Sequence, residues 1–353
     1  MRIALLSRWN ATCGVSMHAE MITREFLNMG LDVKVFAPYI ESADKWWHHK
    51  VIREDEDFVI RCYNELNPNS MEGGGVEEEN ILSEDFDALL VESYTSIPYE
   101  DVERLVTNLR NQGIASYVII HEGSRDEIKY STLDVFNKVI VFDERYMEML
   151  RGCSGRYIVI PYPCHPVVEG NRGFMEDDTL RFFSFGRQPE REYIDFIDAL
   201  NELRKKYELT YRIVRSNGLL SFNENWIIQE QYRIGDTMEV YSYLHASDIH
   251  LLPKGDTNKV VVSSTLCQCI GSLTPIVAPD TRHFETLPDD KPILLYRNKD
   301  DLLEKLELII EDEEVRRTLK ENSKRYVEMN RVDRVAGNIL DLLREETKEI
   351  EIV

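Results

Sequence analysis

Short apolar runs alternate with stretches of helical spacing, and the alternation occurs twice, on either side of a proline-rich segment. A strand, a crossover helix and a further strand fold most readily into a parallel sheet covered by helices. Strands of such a sheet are buried on both faces, so they read as unbroken apolar runs. In the first half these runs fall at 3–6, 33–36, 88–93, 116–121, 138–142 and 157–161. Apolar residues at 15, 19, 22 and 26 predict a helix over 15–29 with one buried face, ended by Gly30. Further helices are predicted at 101–110 and 144–150. Residues 67–80 are rich in Gly, Asn and Glu and predict a mobile surface loop.

Residues 161–179, PYPCHPVVEGNRGFMEDDT, carry three prolines, two glycines and an acidic run, which predicts an interdomain linker. The alternation then restarts. Strands are predicted at 180–186, 211–216, 248–253, 274–278 and 293–296, and helices at 193–206, 239–245 and 264–271. Residues 299–347 are helical by pattern almost throughout. No repeat of fixed short period is present. The expectation is an α/β chain of two doubly wound, Rossmann-like domains facing a central cleft.

Composition narrows the function. The 353 residues are 43% hydrophobic and 30% charged, enough for sizeable cores and unlike a disordered chain. Lys and Arg total 42 against 64 Asp and Glu, a formal charge of -22, a field that repels nucleic acid. The six cysteines form no C-x-x-C pair, so neither a zinc framework nor a disulfide scaffold is indicated, and a reducing cytoplasm fits. No apolar run approaches ~18 residues, and the N-terminus lacks the apolar core of a signal peptide.

Four places could carry chemistry. Gly14 lies in the turn that opens the first helix, where free N–H groups favour an anion, although a plain tight turn explains it as well. Gly186, Arg187 and Arg191 follow a buried strand, the end of an α/β sheet at which ligands collect. Two guanidinium forks there suit a diphosphate, or solvate a loop rim. Ser263 and Ser264 begin a helix, where serine caps and an anion can also bind. Trp46 and Trp47 lie in DKWWHHK; such rings stack on sugars and suit a membrane interface, or simply fill a core. Other signals are discounted. Asp85-Phe86-Asp87 precedes a buried strand and reads as its solvated entry. His48-His49 lack the i, i+4 spacing of a metal pair. The basic residues from Arg316 to Arg325 are interleaved with glutamates, as on a solvated helix face.

In order and content these segments resemble group 1 (family 4) glycosyltransferases of the GT-B fold. LLSRWNATCGVSMHAEMITREFLNMGLDVKVFAP resembles that family's glycine loop, helix and second strand; VIIHEGS its strand ending on His121; and FFSFGRQPEREYIDFIDAL its GR...K segment, with Arg187 on the arginine and Arg191 near the lysine. VIVFDERYMEML with YIVIPYP, YSYLHASDIHLLP, LTPIVAPD and the closing RVAGNILDLL are similar to further segments of it, with Leu273 where glycine is usual. The family's two donor-site glutamates would fall on Val260 and Gln268, so that motif is degenerate here. Gln268 can still hydrogen-bond a ribose. Asp256 is the carboxylate within 253–263.

The resemblance implies an N-terminal acceptor domain at 1–165, a donor domain at 166–330 and a helix at 331–353 that crosses back. It implies transfer of a sugar from a nucleotide-diphosphate sugar to an acceptor hydroxyl with retention, without metal or other cofactor. Catalytic roles fall to His121, Arg187 and Arg191. Donor contacts fall to Gly14, Arg187, Arg191, Ser216, Asp256, Ser263, Ser264 and Gln268, and acceptor contacts to Trp46, Trp47 and His121. The implied partners are a nucleotide sugar and a glycan, lipid-linked or small-molecule hydroxyl. A peripheral position at the inner membrane face is compatible with this. The alternative is a GT-B protein altered in catalysis that binds a nucleotide sugar or serves a partner; a nucleotide-sugar epimerase of the same fold matches the segments less well.

Overall fold

The structure is a computed structural model that describes residues 1–43 and 50–351, with the side chains of 43 and 346–351 not among those described. Trp46 and Trp47, and His48-His49 beside them, lie outside the described residues. The chain divides into two compact units. One comprises Met1–Pro163, Lys259–Val262 and Val332–Val353; the other comprises Cys164–Asn258 and Ser263–Arg331.

In the first unit the elements run β1 (Arg2–Leu6), α1 (Gly14–Asn28), β2 (Asp32–Pro38), α2 (Ile40–Ala43), β3 (Val59–Leu66), β4 (Gly73–Val76), α3 (Glu78–Leu82), β5 (Ala88–Ser93), α4 (Tyr99–Asn111), β6 (Ala115–Ile120), β7 (Lys138–Val141), α5 (Glu144–Met149) and β8 (Tyr157–Val159). They build one sheet in the order β4-β3-β2-β1-β5-β6-β7-β8, parallel except where β4 pairs antiparallel to β3. All six residues of β5 and of β6 are buried, as strands covered on both faces must be.

The second unit consists of β9 (Leu180–Gly186), α6 (Ile194–Leu203), β10 (Leu209–Arg215), β11 (Ile227–Gln231), α7 (Thr237–His245), β12 (Ile249–Leu251), α8 (Ser264–Cys269), β13 (Ile276–Pro279), β14 (Leu294–Tyr296), α9 (Lys299–Glu311) and α10 (Glu313–Met329). Their sheet, β11-β10-β9-β12-β13-β14, is parallel throughout. The closing helix α11 (Val332–Glu351) belongs to the first unit and packs on α1. Its apolar face, with Val335, Ile339 and Leu343, is buried.

Both sheets reverse direction beside their first strand. β1 lies between β2 and β5, and β9 lies between β10 and β12. In open α/β sheets ligands bind at such a switch point, outside the carboxyl ends of the strands.

Several expectations are corrected. The stretch 67–80 is not a featureless mobile loop: Gly73–Val76 pairs with β3, and α3 begins at Glu78. Its glycines hid the strand, since a run without side chains has no apolar pattern. The expected linker at 161–179 is shorter. The chain changes unit at Pro163 and Cys164, and residues 164–179 pack on the second unit. There Arg172, Met175 N and Arg181 N all donate to the buried Asp248 carboxylate. The strands β3 and β11 have no unbroken apolar run to mark them, because Val59–Leu66, next to the edge strand β4, and Ile227–Gln231, at the edge of its sheet, mix charged or polar and apolar residues. The helix expected over 264–271 shortens to α8 and a 3-10 turn at Ile270–Ser272. Asp87 does enter β5, but it is held by the Arg2 backbone N and guanidinium, both at 2.8 Å.

Candidate active site

At the switch point of the first sheet three side chains form one hydrogen-bonded unit. Glu92 is the fifth residue of β5, and His121 directly follows β6. His18 projects from the second turn of α1, which starts beyond β1. Glu92 Oε1 lies 2.7 Å from His18 Nδ1, and Glu92 Oε2 lies 2.5 Å from His121 Nε2. Phe142 stands against both imidazoles, with ring centroids 5.4 Å from His18 and 5.0 Å from His121. Tyr162 lies 5.1 Å from His18 and donates its hydroxyl to the Gly14 carbonyl at 2.8 Å.

The protonation pattern follows from this geometry. Burial alone would raise the Glu92 carboxyl, but the two imidazoles outweigh it and bring it down to about 2. An ionised carboxylate only accepts. Each imidazole nitrogen facing it therefore carries a proton, which leaves His121 Nδ1 with a lone pair. Burial holds His121 below its ordinary range despite Glu92, so the ring is neutral near pH 7. A neutral imidazole with a fixed tautomer can accept a hydroxyl proton or hydrogen bond.

Glu92 also defines the metal question. His18, Glu92 and His121 bring their ligand atoms within 4.8 Å of one another, the one such cluster among the described residues. Both carboxylate oxygens are engaged by N–H groups, so a metal would have to displace both protons. As it stands the cluster is a hydrogen-bonded unit.

On the opposite side of β6, Glu122 is buried and accepts from Ser93 Oγ at 2.5 Å and from the Tyr99 hydroxyl at 2.7 Å. Burial pushes its carboxyl up to about 7 against those two hydrogen bonds. Beyond it the segment Lys259–Val262 is fixed on this same unit. Val260 N donates to Gly123 O at 2.8 Å, the Arg145 guanidinium donates to Val261 O at 3.0 Å, and Lys259 pairs with Glu127. Val260 is buried there.

At the switch point of the second sheet, Arg187 directly follows β9 and is half-buried. Gln188 folds back, its Oε1 accepting from Arg187 N at 3.0 Å. Arg191 lies exposed on the next turn, Glu190–Glu192. Ser263 is buried and caps α8, its Oγ accepting from Leu266 N at 3.2 Å; Ser264 and Gln268 are half-buried on that short helix. Asp256 is exposed and accepts from Thr257 N at 2.9 Å. Ser216 is half-buried after β10. The preceding Arg215 is buried and braces this edge, donating to the carbonyls of Gly218 and Gln188 at 2.6 and 2.9 Å.

His18, Glu92, Glu122 and Lys254 were missed by sequence reasoning. A glutamate ending an otherwise apolar strand, ALLVES, was the available signal for Glu92, and a lysine directly after the buried DIHLLP was the signal for Lys254. His18 gave none, since it lies on a buried helix face like any core residue.

No family model matches the chain. Solved structures do resemble it. An alpha-glucosyltransferase (AGT) in complex with UDP has a TM-score of 0.66 at 12% identity, over 98% of this chain and 100% of that one. The pneumococcal O-GlcNAc transferase GtfA in complex with UDP and GlcNAc has a TM-score of 0.66 at 12% identity, over 98% and 99%. A chain of the GtfA/B complex has a TM-score of 0.53 at 14% identity; the match covers 76% of this chain and spans 59% of that chain's length. The likeness shows the fold: α/β, with two parallel-sheet units of the kind carried by GT-B glycosyltransferases.

Proposed function

We propose that the chain transfers a sugar from a nucleotide-diphosphate sugar to an acceptor hydroxyl, with retention at the anomeric carbon. The observation that carries this reading is Arg187 at the carboxyl end of β9, a half-buried cation at the switch point of the second sheet. Two neighbours of the same fold are complexes with UDP. A departing diphosphate gains negative charge, and a fixed guanidinium stabilises it more in the transition state than in the ground state.

His121 is the acceptor-side group in this reading. Its tautomer, set by Glu92, presents Nδ1 as an acceptor for a sugar or acceptor hydroxyl. Ser263, Ser264 and Gln268 stand after β12 and supply hydroxyl and amide groups for the nucleotide. Asp256, Ser216 and Gly14 complete the proposed donor set. Val260 does not serve as a donor-site counterpart to a glutamate, being buried against Gly123. The charge of -22 favours a glycan, lipid-linked or small-molecule acceptor over a nucleic acid. Among the described residues no helix is long and apolar enough to cross a membrane. No step of the proposed reaction calls for a metal or cofactor.

The test is a panel of UDP-, GDP-, ADP- and TDP-sugars, read by thermal shift and by release of nucleoside diphosphate. A ligand at about 100 times its dissociation constant adds about 2.7 kcal/mol of stability. One donor class that both raises the melting temperature and is slowly hydrolysed is the expected result. Binding without turnover with any acceptor would instead favour a nucleotide-sugar-binding subunit, and no binding would sink both readings.

A further inference from the structure

Lys254 lies at the same switch point as Arg187 but arrives from the other strand. β12 runs parallel to β9 with Ile249 opposite Phe182 and His250 opposite Phe183. Ser184 Oγ continues that register by donating to Leu251 O. Counted onward in step, Lys254 comes level with Arg187, one cation beyond each of the two strands that flank the reversal. Glu192 completes the group. A Cβ built on Gly255 would stand 2.5 Å from Glu192 Oε1. The glycine beside Lys254 lets that carboxylate lie close, where a larger residue would push it aside.

Two cations and one carboxylate leave a net positive charge in a protein that is otherwise strongly negative. The arrangement is not one that folding alone favours. Burial, with the repulsion of Arg187, brings the Lys254 amine down to about 8, against the attraction of Glu192 and of Cys269. An ammonium held at a cost beside a guanidinium, at the ligand-binding end of an α/β sheet, gains most from a multiply charged anion. On the reading proposed above, that anion is the diphosphate of the nucleotide sugar.

We infer that Lys254, together with Arg187, holds the donor diphosphate, the place that sequence resemblance gives to Arg191. The second cation has moved from the turn after β9 to the turn after β12, and Glu192 is its counter-charge in the free protein.

The experiment is calorimetric titration of UDP, with GDP and ADP as further probes, into the full chain and into Lys254→Met and Lys254→Arg, with the melting temperature of each free protein. Met keeps most of the length and an unbranched apolar stem and removes the charge; Arg keeps the charge. Lys254→Met should weaken the bound nucleoside diphosphate roughly tenfold or more. Its free form should melt at or above the unsubstituted protein, since a disfavoured charge is gone. Lys254→Arg should retain more affinity than Lys254→Met. A Lys254→Met protein that binds within about twofold of the original overturns the inference and leaves the proposed function standing. So does one that melts lower while Lys254→Arg binds no better, which would make the lysine structural. Failure of the unsubstituted protein to bind any of the three, and TDP as well, would sink the proposed function, and this inference with it.

Discussion

Glu92 Oε2 lies 2.5 Å from His121 Nε2, and the same buried carboxylate takes His18 Nδ1 with its other oxygen. One charge thus fixes two ring orientations and two tautomers. Glu92→Gln keeps the shape but turns one acceptor into a donor, so one imidazole must flip its tautomer or lose its partner. The expected cost is about 1 to 3 kcal/mol of stability and up to about a hundredfold in transfer rate, because His121 is no longer held in register. Nitrogen-15 spectra of the histidines should show the tautomer change. Unchanged spectra and rate would mean that the unit only fills the core.

Glu92 and Glu122 make opposite contributions to stability against pH. Glu92 has its carboxyl lowered to about 2, so its contribution is complete above the ordinary carboxylate range and is lost as pH falls through about 2. Glu122 has its carboxyl raised to about 7, so the folded chain binds that proton more tightly than the unfolded chain does. Its contribution is complete below the ordinary carboxylate range and is lost as pH rises through about 7. Glu122→Gln should flatten this slope. Relative to the original protein, the variant should gain on the order of 2 kcal/mol between pH 4 and pH 8. Denaturant melts at the two pH values read the difference, and parallel curves would count against a proton on Glu122 near neutrality.

Arg187 is expected to act on the rate more than on acceptor binding. Arg187→Ala should lower transfer by roughly a hundredfold or more, equivalent to about 2 to 4 kcal/mol, with little change in acceptor KM. Arg191 is exposed, and Arg191→Ala should cost much less. Steady-state kinetics with the donor identified by the panel separate the two. An equal loss at both positions would place the diphosphate over the Glu190–Glu192 turn instead.

These sites were unequally legible in the sequence. Arg187 could be read as a candidate because a glycine-arginine pair after the largely apolar LRFFSF marks a strand's carboxyl end, where an α/β fold binds ligands. The His18–Glu92–His121 unit could not, because its members stand on three elements far apart in the chain and meet only when β5 pairs with β6 and α1 packs beside them. Lys254 was hidden for the same reason: its relation to Arg187 is a matter of strand order, β9 beside β12, which local spacing does not encode. Counting positions back from Pro275 matches Val260 to a glutamate, and that count carries no sign that Val260 N donates to Gly123 O on the first unit. A loop's path depends on what it packs against as well as on its sequence. The main parallel strands were legible because burial on both faces writes itself directly as apolar runs, whereas the edge strands β4 and β11, and β3 beside β4, write no such signal.

Gly123 gives the sharpest test of that path. A Cβ on Gly123 would lie 2.6 Å from the Val260 carbonyl oxygen and 2.7 Å from Lys259 Cβ, closer than real side chains approach. One of the two atoms met is backbone, so Gly123→Ala cannot be absorbed by a rotamer change and must lift the segment 259–262. That breaks the hydrogen bond from Val260 N to Gly123 O and strains the Lys259–Glu127 pair. Overpacking of this kind costs about 1 to 3 kcal/mol. The damage should be local: amide exchange should speed up at 259–262 while β5 and β6 keep their protection. Because Asp256, Ser263 and Ser264 flank the lifted segment, donor use should fall as well, with KM for the nucleotide sugar rising before the turnover number drops. Lys259→Ala, which removes the ion pair but leaves the backbone contact, should show a much smaller change in exchange. If Gly123→Ala leaves exchange at 259–262 unchanged, the segment is not held by Gly123, and that contact does not govern the donor loop.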